Sequence, residues 1–198
     1  MTLALTQDTR DNIYNPGKGY LIGFTIEDAG GIFLGDKNFF KGTLSASYYH
    51  TFFNIIVLEL KGRGGMGGAY GSTAKMPIYE RFYAGGANTI RGYKERRVGP
   101  RDPGSNEPIG GDSILVANTE LTFPIYERMI KGAVFYDIGN VWRSSNQFMN
   151  GGYKQGVGVG VRVKTPIGPV RLDYGWPLNK NYDDDQTGEL YFSMSRGF

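Results

Sequence analysis

Residues 156–164, "GVGVGVRVK", decide the fold. Val157, Val159, Val161 and Val163 share one parity, and Gly156, Gly158, Gly160, Arg162 and Lys164 share the other. A helix would scatter these valines around its axis, whereas a strand sends alternate side chains to opposite faces. The segment is therefore a strand with one apolar face and one face of glycine and charge. A tight turn, "PIGP" (166–169), follows, and "PVRLDYGW" repeats the division. There Val170, Leu172, Tyr174 and Trp176 oppose Arg171, Asp173 and Gly175.

Working outward, the same period recurs at 19–28, 39–53, 54–63, 113–123, 131–142 and 188–198. In 113–123, Leu115, Ala117, Thr119, Leu121 and Phe123 face away from Asn118, Glu120 and Thr122; in 54–63, Ile56, Leu58 and Leu60 oppose Glu59, Lys61 and Arg63. These make eight strands, with "TLALTQDTR" at the start as a ninth candidate, and no helix longer than a turn is expected. A soluble sandwich would bury the apolar rows; a membrane barrel turns them toward lipid and keeps glycine, serine and charge inside. Three features favour the membrane. The polar rows mix small residues with Arg, Lys, Glu and Asp. Aromatics gather near strand ends (Tyr48, Tyr49, Phe52, Phe53, Trp142, Trp176) as interfacial girdles do. Short connections alternate with long ones, the longest at 72–110. The expected fold is an all-β antiparallel transmembrane barrel of about eight strands, a single domain over 1–198 without periplasmic domains.

Composition removes several functions. There is no Cys, which excludes disulfides and thiolate metal sites, and the single His, His50, argues against a histidine-based triad or metal cluster. A net charge of +3 with interspersed signs gives no footprint for nucleic acid. No apolar run reaches the roughly 18 residues of a membrane helix, and "MTLALTQDTR" lacks the features of a signal peptide. "GRGGMG" (62–67) fits a dinucleotide-loop pattern, but no helix follows it, so it reads as a flexible or closely packed strand end. "DDD" (183–185) lacks the spaced ligands of a calcium loop. Glu80, Glu95 and Asp102 form no defensible catalytic pair, and no serine lies in a nucleophile elbow. No enzyme, metal or cofactor is expected.

The long connection holds "FYAGGANTIRGYKERRVGPRD" (82–102). Together with "ANTELTFPI", "VFYDIGNVW", "GVGVGVRVKTPIGPVRLDYGWPL" and the terminal "ELYFSMSRGF", in that order, it resembles the C-terminal half of the barrel of the BamA-type outer-membrane protein assembly family, the bacterial surface antigen type. In that family the loop folds back into the barrel and carries an Arg-Gly-aromatic tip. The resemblance implies that Arg91, Gly92 and Tyr93 are that tip and that Glu120 and Asp137 are the acidic partners of Arg91. A guanidinium inside a barrel demands such partners, because an unpaired buried charge is very costly. The last strand, with Leu190, Phe192, Met194 and the terminal Phe198, resembles the signal by which barrel proteins are engaged by the assembly machinery.

The resemblance also implies a bacterial outer-membrane location and a role in inserting outer-membrane proteins. The expected partners are lipid, unfolded outer-membrane proteins and assembly-machinery subunits. A passive barrel (anchor or narrow pore) and the barrel end of a secretion transporter or surface phospholipase stand as alternatives. Such barrels have sixteen strands, about twice the number here. A closed eight-strand sheet has a lumen too narrow for the long loop, so either the loop lies outside or two chains pair through open strand edges as a homodimer.

Overall fold

The computed structural model describes residues 1–31, 37–126, 129–165, 168–179 and 187–194. Nine strands form one antiparallel sheet in sequential order. They are β1 (Thr2–Asp8), β2 (Gly19–Ala29), β3 (Phe39–Phe52), β4 (Ile56–Ala69), β5 (Ser113–Tyr126), β6 (Ile130–Trp142), β7 (Lys154–Thr165), β8 (Gly168–Pro177) and β9 (Glu189–Met194). Single 3-10 turns occur at Ile78–Glu80 and Ser145–Gln147.

The expectation of a closed barrel is corrected here. β1 pairs only with β2 and β9 only with β8, so the sheet is open at both edges among the described residues. The physical reason lies in what occupies the inner face: the 70–112 connection packs there, and a ring of eight strands has no room for it. The candidate ninth strand at the start is present as β1, exposed at every residue. The expected strand at 54–63 continues through the glycines to Ala69. A Cβ at Gly65 would lie 2.6 Å from the Phe82 ring, and one at Gly67 would lie 3.0 Å from Met76 Sδ. Those glycines admit the base of the long connection.

Alternation is kept throughout. Ile22, Phe24 and Ile26, then Leu44 and Tyr48, Leu60, Leu121 and Phe123, Val134 and Tyr136, Val157 and Val159, and Leu172 and Trp176 are all exposed on one face. The register aligns these rows across the sheet, as in Leu58 opposite Leu121 and Val159 opposite Tyr174. β3, β4 and β5 each run 14 residues, longer than the roughly 9–11 that cross a bilayer. The connections 9–18 and 53–55 lie on one rim, and 70–112 and 143–153 lie on the other. At the first rim the tip of β3–β4 turns through Phe53 and Asn54, both with positive φ (50° and 60°), the geometry of a type I′ turn, closed by the Ile55 N–H donating to the Phe52 carbonyl at 3.1 Å. The sheet also curls: Lys131 Nζ of β6 donates to Asn15 Oδ1 in the β1–β2 connection at 2.8 Å.

Candidate functional site

The 70–112 connection is anchored at its base and driven inward by its apolar residues. Gly67 N–H donates to the Asp112 carbonyl at 2.7 Å, and Phe82 and Gly111 exchange backbone hydrogen bonds of 2.8 and 3.0 Å. Arg81 ties the two arms by donating to the carbonyls of Met76 (3.0 Å) and Ile109 (3.1 Å). Phe82, Ala84, Ile90, Tyr93 and Val98 then bury against Ile114 and Val116 of β5 and Val141 of β6. Toward this rim the inner face is thus apolar, a departure from the expected row of small and charged residues. At the tip Gly92 adopts φ +97°, a conformation that side chains disfavour. A Cβ there would also lie 2.7 Å from the Trp176 carbonyl carbon.

Arg91, which is 3% exposed, lies at the centre. Its Nε donates to Asp137 Oδ2 at 2.7 Å and its Nη2 to Asp137 Oδ1 at 2.9 Å, a bidentate fork. The Arg91 backbone N–H donates to the same Asp137 Oδ2 at 3.0 Å. Nη1 donates to Glu120 Oε2 at 2.7 Å and to Asp173 Oδ2 at 3.3 Å. The guanidinium lies over the Phe135 ring, 3.4 Å from its centroid, a cation–π contact. Both sequence-expected carboxylates, Glu120 and Asp137, therefore touch Arg91.

The network extends beyond them. Arg162 of β7 donates to Glu120 Oε1 (3.0 Å) and Oε2 (2.8 Å) and to Asp173 Oδ1. Arg171 donates to Asp173 Oδ2 at 3.0 Å, and Asn118 donates to Asp137 Oδ1 at 2.8 Å. Three guanidinium groups meet three carboxylates, so the cluster balances its own charge, the condition under which buried ions are tolerated. Sequence inspection placed Arg162, Arg171 and Asp173 on the polar row without assigning them to Arg91. Phe135 was the least visible, since an aromatic on that row breaks the pattern.

The glycines of "GVGVGVRVK" now have a cause. A Cβ at Gly156 would lie 1.8 Å from the Arg91 carbonyl oxygen, and one at Gly175 would lie 2.6 Å from Gly92 N. At Gly158 it would meet the Phe135 ring at 2.3 Å. The stripe is flat so that the loop tip can lie on it. Tyr93 packs in the buried cluster with its hydroxyl 2.9 Å from the Asn179 carbonyl. Tyr191 of β9, not anticipated from sequence, meets the tip from the other side. Its hydroxyl accepts from Gly92 N–H at 2.9 Å and donates to the Tyr93 carbonyl at 2.8 Å.

Leu190, Phe192 and Met194 point outward from β9 and are 64%, 69% and 41% exposed. Phe198 lies outside the described residues. His50 faces outward too, between Tyr48 and Phe52 in an aromatic row. Among the described residues no three acidic or histidine side chains are arranged to hold a metal ion, and the chain has no Cys.

A family model for the Omp85 superfamily domain matches residues 1–198. The chain is 36% identical over 199 residues to an outer membrane protein assembly factor BamA of Nitratidesulfovibrio vulgaris, aligning 99% of this chain with 25% of that protein. Against the protein of the same name from Neisseria meningitidis serogroup B the identity is 27%, over 93% of this chain and 27% of that one. The chain thus spans about a quarter of the length of these curated relatives. In three dimensions it is similar to the crystal structure of BamA from Haemophilus ducreyi lacking POTRA domains 1–3. The TM-score is 0.76 at 21% identity, over 96% of this chain and 42% of that one. That likeness concerns the fold.

Proposed function

This chain belongs to the Omp85 superfamily and is an outer-membrane protein, and on that premise we propose that it works in the insertion of other β-barrel proteins, by strand pairing rather than chemical catalysis. The observation that carries the proposal is a contrast within one sheet. The Arg91 tip is locked to β5–β8 by buried ion pairs, while β1 and β9 each lack a second neighbour among the described residues. An unpaired edge is a template on which an extended client segment adds by β-augmentation. Lipid cannot satisfy those backbone groups, at several kcal/mol each, so an arriving strand is strongly favoured. The edge at β9 is the proposed receiving strand, and the docked loop keeps the wall behind it rigid. The name borne by the two bacterial relatives supports this role.

The proposed partners are lipid, unfolded outer-membrane proteins and assembly-machinery subunits, with a second copy of the chain meeting it edge to edge in the resting state. Leu190, Phe192 and Met194 are proposed to form part of the signal that commits this chain itself to the assembly machinery.

Reconstitution into liposomes with a urea-unfolded client tests the function. Faster client insertion than into empty liposomes is expected. Ion conductance without any acceleration would overturn it in favour of a passive pore. Sizing the folded protein in detergent tests the pairing: twice the 21.9 kDa chain mass is expected, and the single mass sinks it.

A further inference from the structure

β9 is a short edge strand with few ties to the rest of the sheet. It has six residues, where its neighbour β8 has ten, and it pairs on one side only. Leu190, Phe192 and Met194 look outward and hold nothing on the inner face. What fastens β9 inward is Tyr191, whose hydroxyl accepts from Gly92 N–H and donates to the Tyr93 carbonyl. Both of those groups belong to the loop tip, next to Arg91. Tyr191 stands opposite Asp173 in the register, so the hydroxyl clip and the ionic cluster lie side by side. Gly92 is pressed between this clip and the backbone of Trp176 and Pro177. Among the described residues the Arg91 ion pairs tie the tip to β5, β6 and β8, the Tyr93 hydroxyl ties it to the Gln155 and Asn179 carbonyls, and the Tyr191 clip ties it to β9.

We propose that Tyr191 is a positioning residue that couples the edge strand to the loop, so that β9 cannot leave β8 unless the tip loosens, and a loosened tip weakens β9. Peeling β9 removes the hydroxyl from Gly92 N–H and the Tyr93 carbonyl at once, and a buried backbone donor left without a partner is costly. Because coupling is reciprocal, the same free energy links the two events in either direction. The proposal does not depend on an insertion activity; it concerns two motions of this chain and is read from them directly.

The experiment is hydrogen–deuterium exchange of the full chain in lipid nanodiscs, following the amides of 88–93 and of 189–194. In Tyr191→Phe, which keeps the ring and removes the hydroxyl, exchange in both segments is expected to rise together, by about tenfold for the loss of two hydrogen bonds. Acceleration in one segment alone, or in neither, overturns the coupling. A second variant covers the case in which Tyr191→Phe does not fold. Leu172 and Phe192 are opposed in register and lie on the outer face; Leu172→Cys with Phe192→Cys places a disulfide within normal Cα reach of paired strands. With no other Cys in the chain, oxidation pins β9 to β8. Exchange at 88–93 is expected to slow several-fold on oxidation and recover on reduction. Unchanged loop exchange would show that the strand and the tip move independently.

Discussion

The two ends of the sheet differ in what lies on their inner face. Across the middle of β1–β3 that face carries Ala4, Thr6, Gly23, Thr25, Thr43, Ser45 and Ser47, mostly small and hydroxylic, with Leu21 among them and Glu27 and Lys41 toward one end, and β1 is exposed throughout. Across β5–β8 it carries Ile114, Val116, Glu120, Asp137, Arg162 and Asp173, nearly all hidden from solvent beneath the 70–112 loop. Both ends obey one alternation and present similar apolar rows outward. The difference teaches that alternation fixes which way a residue points, while the loop decides which inward residues pay for being dry. Small hydroxyls suit a wetted wall. Glycine and compensated charge suit one on which a backbone is laid.

The largest test of this contrast removes its hub. Arg91→Ala strands Asp137 and Glu120 as buried, under-compensated carboxylates, and about 3–5 kcal/mol of stability is expected to go with it. Urea unfolding in detergent measures this, and equal midpoints for variant and parent would break the comparison. A smaller effect separates the two faces of one sheet. Gly156→Ala drives a methyl into the Arg91 carbonyl and should cost about 1–3 kcal/mol as overpacking does. Gly62→Ala meets nothing within 4 Å and is expected within about 0.5 kcal/mol of the parent. Similar losses at both sites would mean that the glycine stripe has no role in seating the loop.

The smallest effect is acid sensitivity at the loop's exposed outer end. Asp102 accepts from the Ser105 backbone N–H (2.9 Å), the Ser105 hydroxyl (3.0 Å) and the Gly104 N–H (3.1 Å). The Ser105 backbone bond leads in holding its carboxyl below the ordinary value of 3.8. A carboxyl lowered in the folded state contributes order that is complete above the ordinary value and fades as pH falls through the lowered one. Exchange at 103–106 is therefore expected to rise below about pH 4, with Asp102→Asn flattening the profile. An identical profile in the variant would discard the account.

Much of the wall was legible because period two survives every local change in composition, including the valine–glycine run at 156–163. The Arg91, Glu120 and Asp137 contacts were reached through resemblance, since spacing alone does not say which carboxylate a loop tip will meet. Asp173 and Arg162 escaped assignment for the same reason: their role depends on where β7 and β8 stand relative to a residue some 80 positions earlier, and no local pattern encodes it (Arg91 and Asp173 are 82 apart). Tyr191 falls on the inward parity of the final strand, and only the tip's position makes it a clip. Barrel closure was misjudged because an alternating row is the same in a ring and in an open sheet. What differs is whether the outermost strands meet, and that depends on the volume the loop occupies.

The attachments of the tip also set a timetable. Arg91 reaches Asp173 across 82 positions of sequence, and Gly92 reaches Tyr191 across 99. Contacts so distant along the chain form slowly, and here they await segments made last. The loop tip, though it sits mid-chain, gains the last of its ties only when β8 and β9 are in place. In pulse-labelled refolding, protection at Gly92 should accordingly emerge after that of the β3–β4 hairpin.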